Sequence, residues 1–482
     1  MSRPFDAARY AGLLEGLEAT EVRFSHINEE IRIDPEFFKK RFLLEDQALS
    51  HTRNWRIGDF ANVTDGPHGY HVVDETSPVV MLTAKNAKDW FSERESADPI
   101  AKWVDDRNKR SSLETDDIIL STRGTVGTCA LVTSEALPAN IDQDVARISW
   151  PDKVALQPAY VVAYLNSEFG QDHVERHASG MVQQGLSLQK VRDIPIPLLA
   201  SDVQTAIAET VTSALTARRH AREKLQDAEQ KLLVALGLAD WQPPQPLSYV
   251  RSSRDAFAAG RLDAEYFHPA KKAALDLLAS LPGRQVGEMF HSVRELWNPC
   301  DQGTGQVVRN YDLTHALSPF LDDSVEPSEV AAISSTKKRI QHGDLLVSRL
   351  RSYLREIAVV ICNDSLQVAS TEFIVLRPRS EELKAEALLV YLRSLLPQLV
   401  FKWSQDGSNH PRFDERELLN LHVPDIVLEM QDSLAGALIA AINSRRRASK
   451  LLDAAKRAVE IAIEDSEAAA LEYLQAVQAK VA

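Results

Sequence analysis

Cysteine is scarce: three in 482 residues, Cys129, Cys300 and Cys362, each far from the others. They fit neither a disulfide framework nor the spacing of a zinc site, which points to a reducing cytoplasm and no bound metal. No apolar run is long enough to cross a bilayer, and the first residues lack the basic-then-apolar pattern of a secretory signal. Cations are outnumbered: 55 Lys and Arg against 69 Asp and Glu give a formal charge of −14. That argues against a general binder of polyanions, though not against a DNA reader whose cations gather on one face. Catalytic signatures are missing too. No glycine-rich cofactor loop follows a strand, no P-loop occurs, and there is no Asn/Asp-Pro-Pro-Tyr/Phe tetrad. Glu382 and Lys384, with Asp364 upstream, mimic the acidic pattern of metal-dependent nucleases, but no strand pattern flanks them. Asp65 and His68 sit beside glycine, as the residues of a turn do. The residues therefore point away from an enzyme, with a nuclease acting through Asp364, Glu382 and Lys384 as the rival.

What the chain has instead is a duplication. Arg32-Ile33-Asp34-Pro35-Glu36-Phe37-Phe38 returns 229 residues later as Arg261-Leu262-Asp263-Ala264-Glu265-Tyr266-Phe267, and Gly58 answers Gly287 at the same offset. Further along the offset settles at 227: Tyr164-Leu165 against Tyr391-Leu392, Gly180 against Gly407, Pro197 against Pro424, Gln204 against Gln431. The order is globular part (1–200), helix (201–238), globular part (239–427), helix (428–482). Trp241-Gln242-Pro243-Pro244-Gln245-Pro246 opens the second half as a linker that cannot continue the first helix. A duplicated binder reads two similar things a fixed distance apart.

Both helices carry a heptad seam. In the first it runs Ile207, Val211, Ala214, Arg218, Ala221, Leu225, Ala228, Leu232, Ala235. Adding 227 gives Leu434, Leu438, Ala441, Arg445, Ala448, Leu452, Ala455, Val459, Ala462. Two amphipathic helices on separate cores are the alternative. Their length, shared phase and sparse large residues favour a narrow contact of one helix with the other. About 35 residues at about 1.5 Å each make a rod of roughly 50 Å, one and a half turns of B-DNA. An antiparallel pair would hold the modules near its opposite ends.

The globular parts read as mixed α and β. Asp116 to Gly124, Cys129 to Val132 and Val145 to Ile148 are expected strands, matched by 343–349, 356–360 and 373–376. Tyr160 to Leu165 and Ala387 to Leu396 are expected helices. Polar loops are expected at 102–110, 180–188, 336–339, 349–355 and 406–413, where the copies differ most.

Several stretches together carry a family likeness. They are Asp65-Gly66-Pro67-His68-Gly69, then Met81-Leu82-Thr83-Ala84-Lys85-Asn86, then Asp117 to Gly127 and Asn140 to Ala146. Gly180, Gly185-Leu186-Ser187-Leu188, Ile194-Pro195-Ile196-Pro197 and the Gln204 helix complete the set. The second module departs in detail, with Arg349-Leu350-Arg351 and Asn409-His410-Pro411-Arg412-Phe413 in place of the first module's residues. Together these residues resemble the specificity subunit of type I restriction-modification systems, which implies an α+β fold: two target recognition domains, each followed by a long helix, the helices pairing as an antiparallel coiled coil. It implies a non-catalytic subunit that binds a bipartite double-stranded DNA target. It further implies two adenine-N6 methyltransferase subunits that use S-adenosylmethionine, and a restriction and translocation subunit. Docking of the methyltransferases on the helices would account for an exposed set of Arg218, Arg219, Arg222, Arg445, Arg446 and Arg447.

Candidate DNA contacts follow from residue chemistry. Arg123, Arg349 and Arg351 stand at strand ends, and arginine reads guanine through a bidentate pair or clamps phosphate. Lys85 and Asn86 follow an apolar strand, and an amide suits an adenine edge. Gln183, Gln184 and Ser187, with Ser408, Asn409, His410 and Arg412, lie in glycine-opened loops just before each helix. Lys337-Lys338-Arg339 suits phosphate.

Overall fold

The computed structural model describes residues 13, 14, 16, 18–22, 27, 33–69, 71–87, 90–94, 97–151, 156–180, 185–303, 305–316, 319–321, 325–361 and 366–481. The chain divides into two compact units, Met1–Ala217 with Arg447–Ala482, and Arg218–Arg446. In the first, α1 (Lys40–Ser50) precedes a sheet of β1 (Asn62–Asp65), β2 (Trp90–Phe91), β3 (Ile118–Ser121), β4 (Cys129–Leu131) and β5 (Val145–Ser149). The strand order is β1-β5-β3-β4-β2. Every residue of β3 is buried, as its run of two isoleucines and a leucine requires of a central strand. It pairs antiparallel with β5, Ile118 opposite Ile148 and Ser121 opposite Val145. Then come α2 (Pro158–Asn166), α3 (Glu168–His177) and α4 (Leu188–Arg192). Asn54–Arg56 pairs with Pro195–Pro197, closing the module immediately ahead of the long helix α5 (Ser201–Ala235).

The second unit repeats the plan. Its sheet is β6 (Phe290–Ser292), β7 (Leu345–Ser348), β8 (Ile357–Val359) and β9 (Phe373–Pro378), in the order β6-β9-β7-β8. α6 (Ala385–Arg393), α7 (Leu395–Lys402) and α8 (Glu415–Leu419) follow. Gly283–Gln285 pairs with His422–Pro424 ahead of α9 (Gln431–Glu464), and α10 (Glu467–Val481) ends the chain.

One ion pair on a buried acid is common to both sheets and is built differently in each. Asp117, just before β3, accepts from Arg147 Nε at 2.7 Å; Asp344, just before β7, accepts from Arg377 at 2.7 and 2.8 Å. The acids occupy matching positions, while Arg377 stands two residues further along its strand than Arg147 does. Two residues is the period of a strand, so both arginines reach the acid from the same face. Each acid also caps a turn, Asp117 through Glu114 N at 2.8 Å and Asp344 through Gln341 N at 2.9 Å.

The long helices run antiparallel. In the first unit Val203, Ile207, Val211 and Ala214 of α5 share a buried cluster with Leu452, Ala455, Val459 and Ala462 of α9. In the second unit Ala221, Leu225, Ala228 and Leu232 do so with Leu434, Leu438 and Ala441. The first half of one helix thus packs with the second half of the other, in both units. Each buried leucine, isoleucine or valine contributes roughly 1.5–3 kcal/mol, and the intervening alanines let the backbones approach.

Several expectations are corrected in detail. The second helix, expected through 482, stops at Glu464. Ser466 then caps α10, accepting from Ala469 N at 3.2 Å, and Ala470 and Leu474 pack back onto the core of the first unit. The helix expected over Ala387 to Leu396 is two, broken at Ser394, as Ser167 separates α2 from α3. Lys102–Arg107 is a helix rather than loop, and Lys337–Ile340 is a strand. Ala235 is exposed; the seam ends on Leu236, whose following Gly237 adopts φ 73° to stop the helix. Among the described residues no helix is long and apolar enough to cross a membrane.

Candidate nucleic-acid interface

In each module a loop is fastened to the end of the central strand by one hydrogen-bond pattern. Beyond β3, Thr122 N donates to Asp144 O at 2.8 Å and Leu186 N donates to Thr122 O at 2.9 Å. Beyond β7, Arg349 N donates to Glu372 O at 3.2 Å and Phe413 N donates to Arg349 O at 3.1 Å. The loop itself is closed by reciprocal backbone bonds, Ser179 with Gly185 at 2.9 and 2.8 Å, Asp406 with Arg412 at 2.8 and 2.9 Å. Gly180 and Gly407 open the two loops at φ 123° and 98°, values that favour glycine. Buried Leu186 and Phe413 anchor the far ends, Phe413 stacking on Phe401 at 4.6 Å.

The side chains on this frame differ. In the first module Arg123 Nη1 lies 3.2 Å from Asp144 Oδ1. In the second, Glu372 accepts from Arg412 Nε at 2.9 Å and Nη2 at 2.8 Å, while Arg349 Nε lies 3.2 Å away. The hydrogen bonds from Arg412 hold the Glu372 carboxyl below the usual carboxylate range. Arg351 takes φ 48° at the position where the first module has Gly124 at φ 75°. Its Nη2 lies 3.4 Å from both Asn409 O and His410 Nδ1. Ser408, Asn409 and His410 are exposed; Ser187 is exposed and caps α4 through Lys190 N at 3.3 Å. Gln183 and Gln184 lie outside the described residues. The structure therefore brings Arg349, Arg351, Ser408, Asn409, His410 and Arg412 to one place, and sets Ser187 after the loop fastened to Thr122.

Other candidates are placed elsewhere or are already engaged. Asn86 is buried, its Oδ1 accepting from Thr83 N and its Nδ2 donating to Glu93 O, each at 2.9 Å. It fixes its own turn and offers no amide edge to a base; Lys85 beside it is exposed. Lys337 is buried on Asp312 at 3.0 Å, and Lys338 donates to Phe373 O at 2.8 Å, so neither is set out for phosphate as the sequence suggested. Arg339 is exposed, 3.8 Å from Glu295. Of the six helix arginines, Arg222 and Arg447 are exposed, while Arg218, Arg219, Arg445 and Arg446 are half-buried. Asp65 holds His68 at 3.4 Å and Arg110 at 3.0 Å, a loop-fixing arrangement. Glu382 pairs with Arg284 and Lys384 with Asp432, so the nuclease-like acid and lysine are spent on separate partners. Asp364 lies outside the described residues.

Two features escaped the sequence. Asp144 and Glu372 occupy the same place in their modules, yet the offset between them is 228 rather than 227, so the repeat alone misaligns them. A cavity of about 450 Å³ in the first module is lined by Arg110, Arg147, Arg192, Thr64 and Ser149, residues too scattered in sequence to suggest a basic recess.

No family model matches the chain. A curated relative, the type I restriction enzyme EcoBI specificity subunit of Escherichia coli, is 24% identical over 184 residues, 37% of this chain and 38% of that protein. The match thus spans well under half of that relative's length. Among solved structures, the type I restriction-modification S subunit from M. genitalium aligns at TM-score 0.38 and 13% identity, over 86% of this chain and 95% of that one. The HsdS subunit from Thermoanaerobacter tengcongensis aligns at TM-score 0.28 and 15% identity, over 86% and 97%. The chain is similar in sequence, over the matched stretch, to a specificity subunit of a type I restriction-modification system.

Proposed function

We propose that this chain is the sequence-specific DNA-recognition subunit of a type I restriction-modification complex, without catalysis of its own. Each module reads half of a bipartite target in the major groove. The helix pair sets the unread gap and carries two adenine-N6 methyltransferase subunits, which bring S-adenosylmethionine. A restriction and translocation subunit joins them, and the complex works in the cytoplasm. On this division 1–200 and 239–427 are the target recognition domains, and 201–238 and 428–482 the spacer.

The observation that carries the proposal is duplication at the site itself. Two modules share one backbone pattern where loops beginning at 179 and 406 meet Thr122 and Arg349, and the loop sequences carry different polar residues. A shared frame with exchanged side chains is what two readers of different sequences need. Arginine forks suit guanine, exposed amides such as Asn409 suit adenine, and Lys85 and Arg339 suit phosphate. With a charge of −14, the isolated chain should bind DNA weakly, the affinity being completed by its partners.

Single-molecule methylome sequencing of the source strain, with and without this gene, tests the proposal. One bipartite adenine-methylated motif should vanish with the gene. Exchange of Gln183, Gln184 and Ser187 should change only its first half, and exchange of Asn409, His410 and Arg412 only its second. An unchanged methylome would overturn the proposal and favour a recognition subunit of another phage-defence complex.

A further inference from the structure

At the strand end of the second module one acid faces two guanidiniums, and the division of labour between them is visible. Glu372 precedes β9 and faces two guanidiniums, one from the strand end and one from the loop. Arg412, from the loop, spends Nε and Nη2 on the carboxylate and Nη1 on His410 O at 3.0 Å. Three of its five N–H donors are thereby fixed inside the module. Arg349, beyond the strand end, forms an ion pair with Glu372, Nε lying 3.2 Å from the carboxylate without hydrogen-bonding it. Among the described residues its two Nη groups hold no hydrogen bond, and 43% of its side chain is exposed. One carboxylate faces two guanidiniums here, where Asp144 is paired with Arg123 in the first module.

We infer that Glu372, braced by Arg412, is a positioning residue that presents the Nη edge of Arg349 to a guanine in the second half-site. The inference rests on the DNA-recognition role proposed above. A guanidinium edge matches two acceptors in one plane, and guanine alone among the bases offers such a pair, O6 and N7, in the major groove. A freely rotating arginine would meet guanine and phosphate alike. An ion pair on the Nε side restricts that freedom before the DNA arrives, so orientation, not charge alone, is what Glu372 supplies. Phe373 continues the chain into the buried strand, which holds the backbone of Glu372 in place.

The test uses the full-length chain in its own strain, with the gene deleted and restored as variants, and reads the methylome. The restored parent should give a motif with a fixed guanine in the half that exchange of the 406–412 loop alters. Glu372→Gln keeps shape but loses charge; preference at that base pair should fall roughly ten- to a hundredfold, with the other half unchanged. Glu372→Asp should retain more of the preference than Glu372→Gln. Arg349→Lys keeps the charge and loses the fork, so it should relax the same base pair. If Glu372→Gln prevents folding, the exposed Arg349→Lys carries the test. A second half without guanine, a preference retained in both variants, or a uniform loss of methylation with every base still preferred as before would each overturn the inference; the last would mark a phosphate contact. A parent strain with no motif that depends on this gene would instead remove the recognition role itself.

Discussion

Arg351 sits in a left-handed backbone conformation where its counterpart in the first module is Gly124. A side chain there costs about 1–2 kcal/mol. Glycine would relieve that, at an entropic loss of about 0.5–1 kcal/mol from the unfolded chain. The balance favours Arg351→Gly by up to about 1.5 kcal/mol. A residue kept against such a gain has a use, and its Nη2 reaches Asn409 and His410 in the loop. Arg351→Gly should therefore raise the denaturant midpoint while weakening methylation at sites bearing the second half-site. An unchanged or lower midpoint, or undiminished methylation, would remove that account. At this scale the sequence was half legible. The paired glycines Gly180 and Gly407 mark both loops, because a backbone requirement leaves the same residue in both copies. Side-chain roles were not legible: Asn86 and Lys337 look like DNA contacts until their burial is seen, and no spacing reveals that Glu372 faces Arg349 and Arg412.

Among the elements, α1 and α3 meet through carboxylates. Oxygens of Glu45 on α1 and of Glu168 and Asp172 on α3 lie within 4.8 Å of one another, with Arg41 alongside. Burial first, then the Asp172 contact, pushes the Glu45 carboxyl up to about 9. The folded chain thus holds a proton that the unfolded chain releases near its ordinary value of about 4.3. Folding binds more protons across that window, so stability falls as pH rises from about 4.3 towards 9. Glu45→Gln keeps the shape and a donor for Asp172 without the titrating proton. Its melting temperature should exceed that of the parent by a few degrees at pH 8 and converge with it near pH 4. A difference independent of pH would show that Glu45 is not the proton site. The long helices were the most legible elements, since a seam such as Leu434, Leu438, Ala441, Ala448, Leu452, Ala455, Val459 and Ala462 is written by periodicity, and all eight are buried. Where they end was less so. The stop at Glu464 rests on Ser466 taking the cap of a new helix, a local choice that a run of helix-forming residues on both sides conceals.

For the whole molecule, the duplication was plain from the sequence because repeated residues keep one offset over long stretches. What it could not supply is which helix half meets which. That follows from the buried clusters: the first half of α5 shares a core with the second half of α9, and the reverse. An antiparallel pair can be lengthened without breaking the seam only if both helices gain the same insertion at facing positions. Seven residues restore the heptad phase and add about 10 Å at about 1.5 Å per residue. B-DNA rises about 3.4 Å per base pair, so the unread gap of the target should grow by about three base pairs. A heptad placed in α5 alone leaves its seam longer than that of α9, and should abolish methylation or folding. The doubly lengthened chain should methylate a motif with both half-sites intact and only the gap changed. A gap that stays at its original length, with methylation preserved, would mean that the helix pair does not set the spacing.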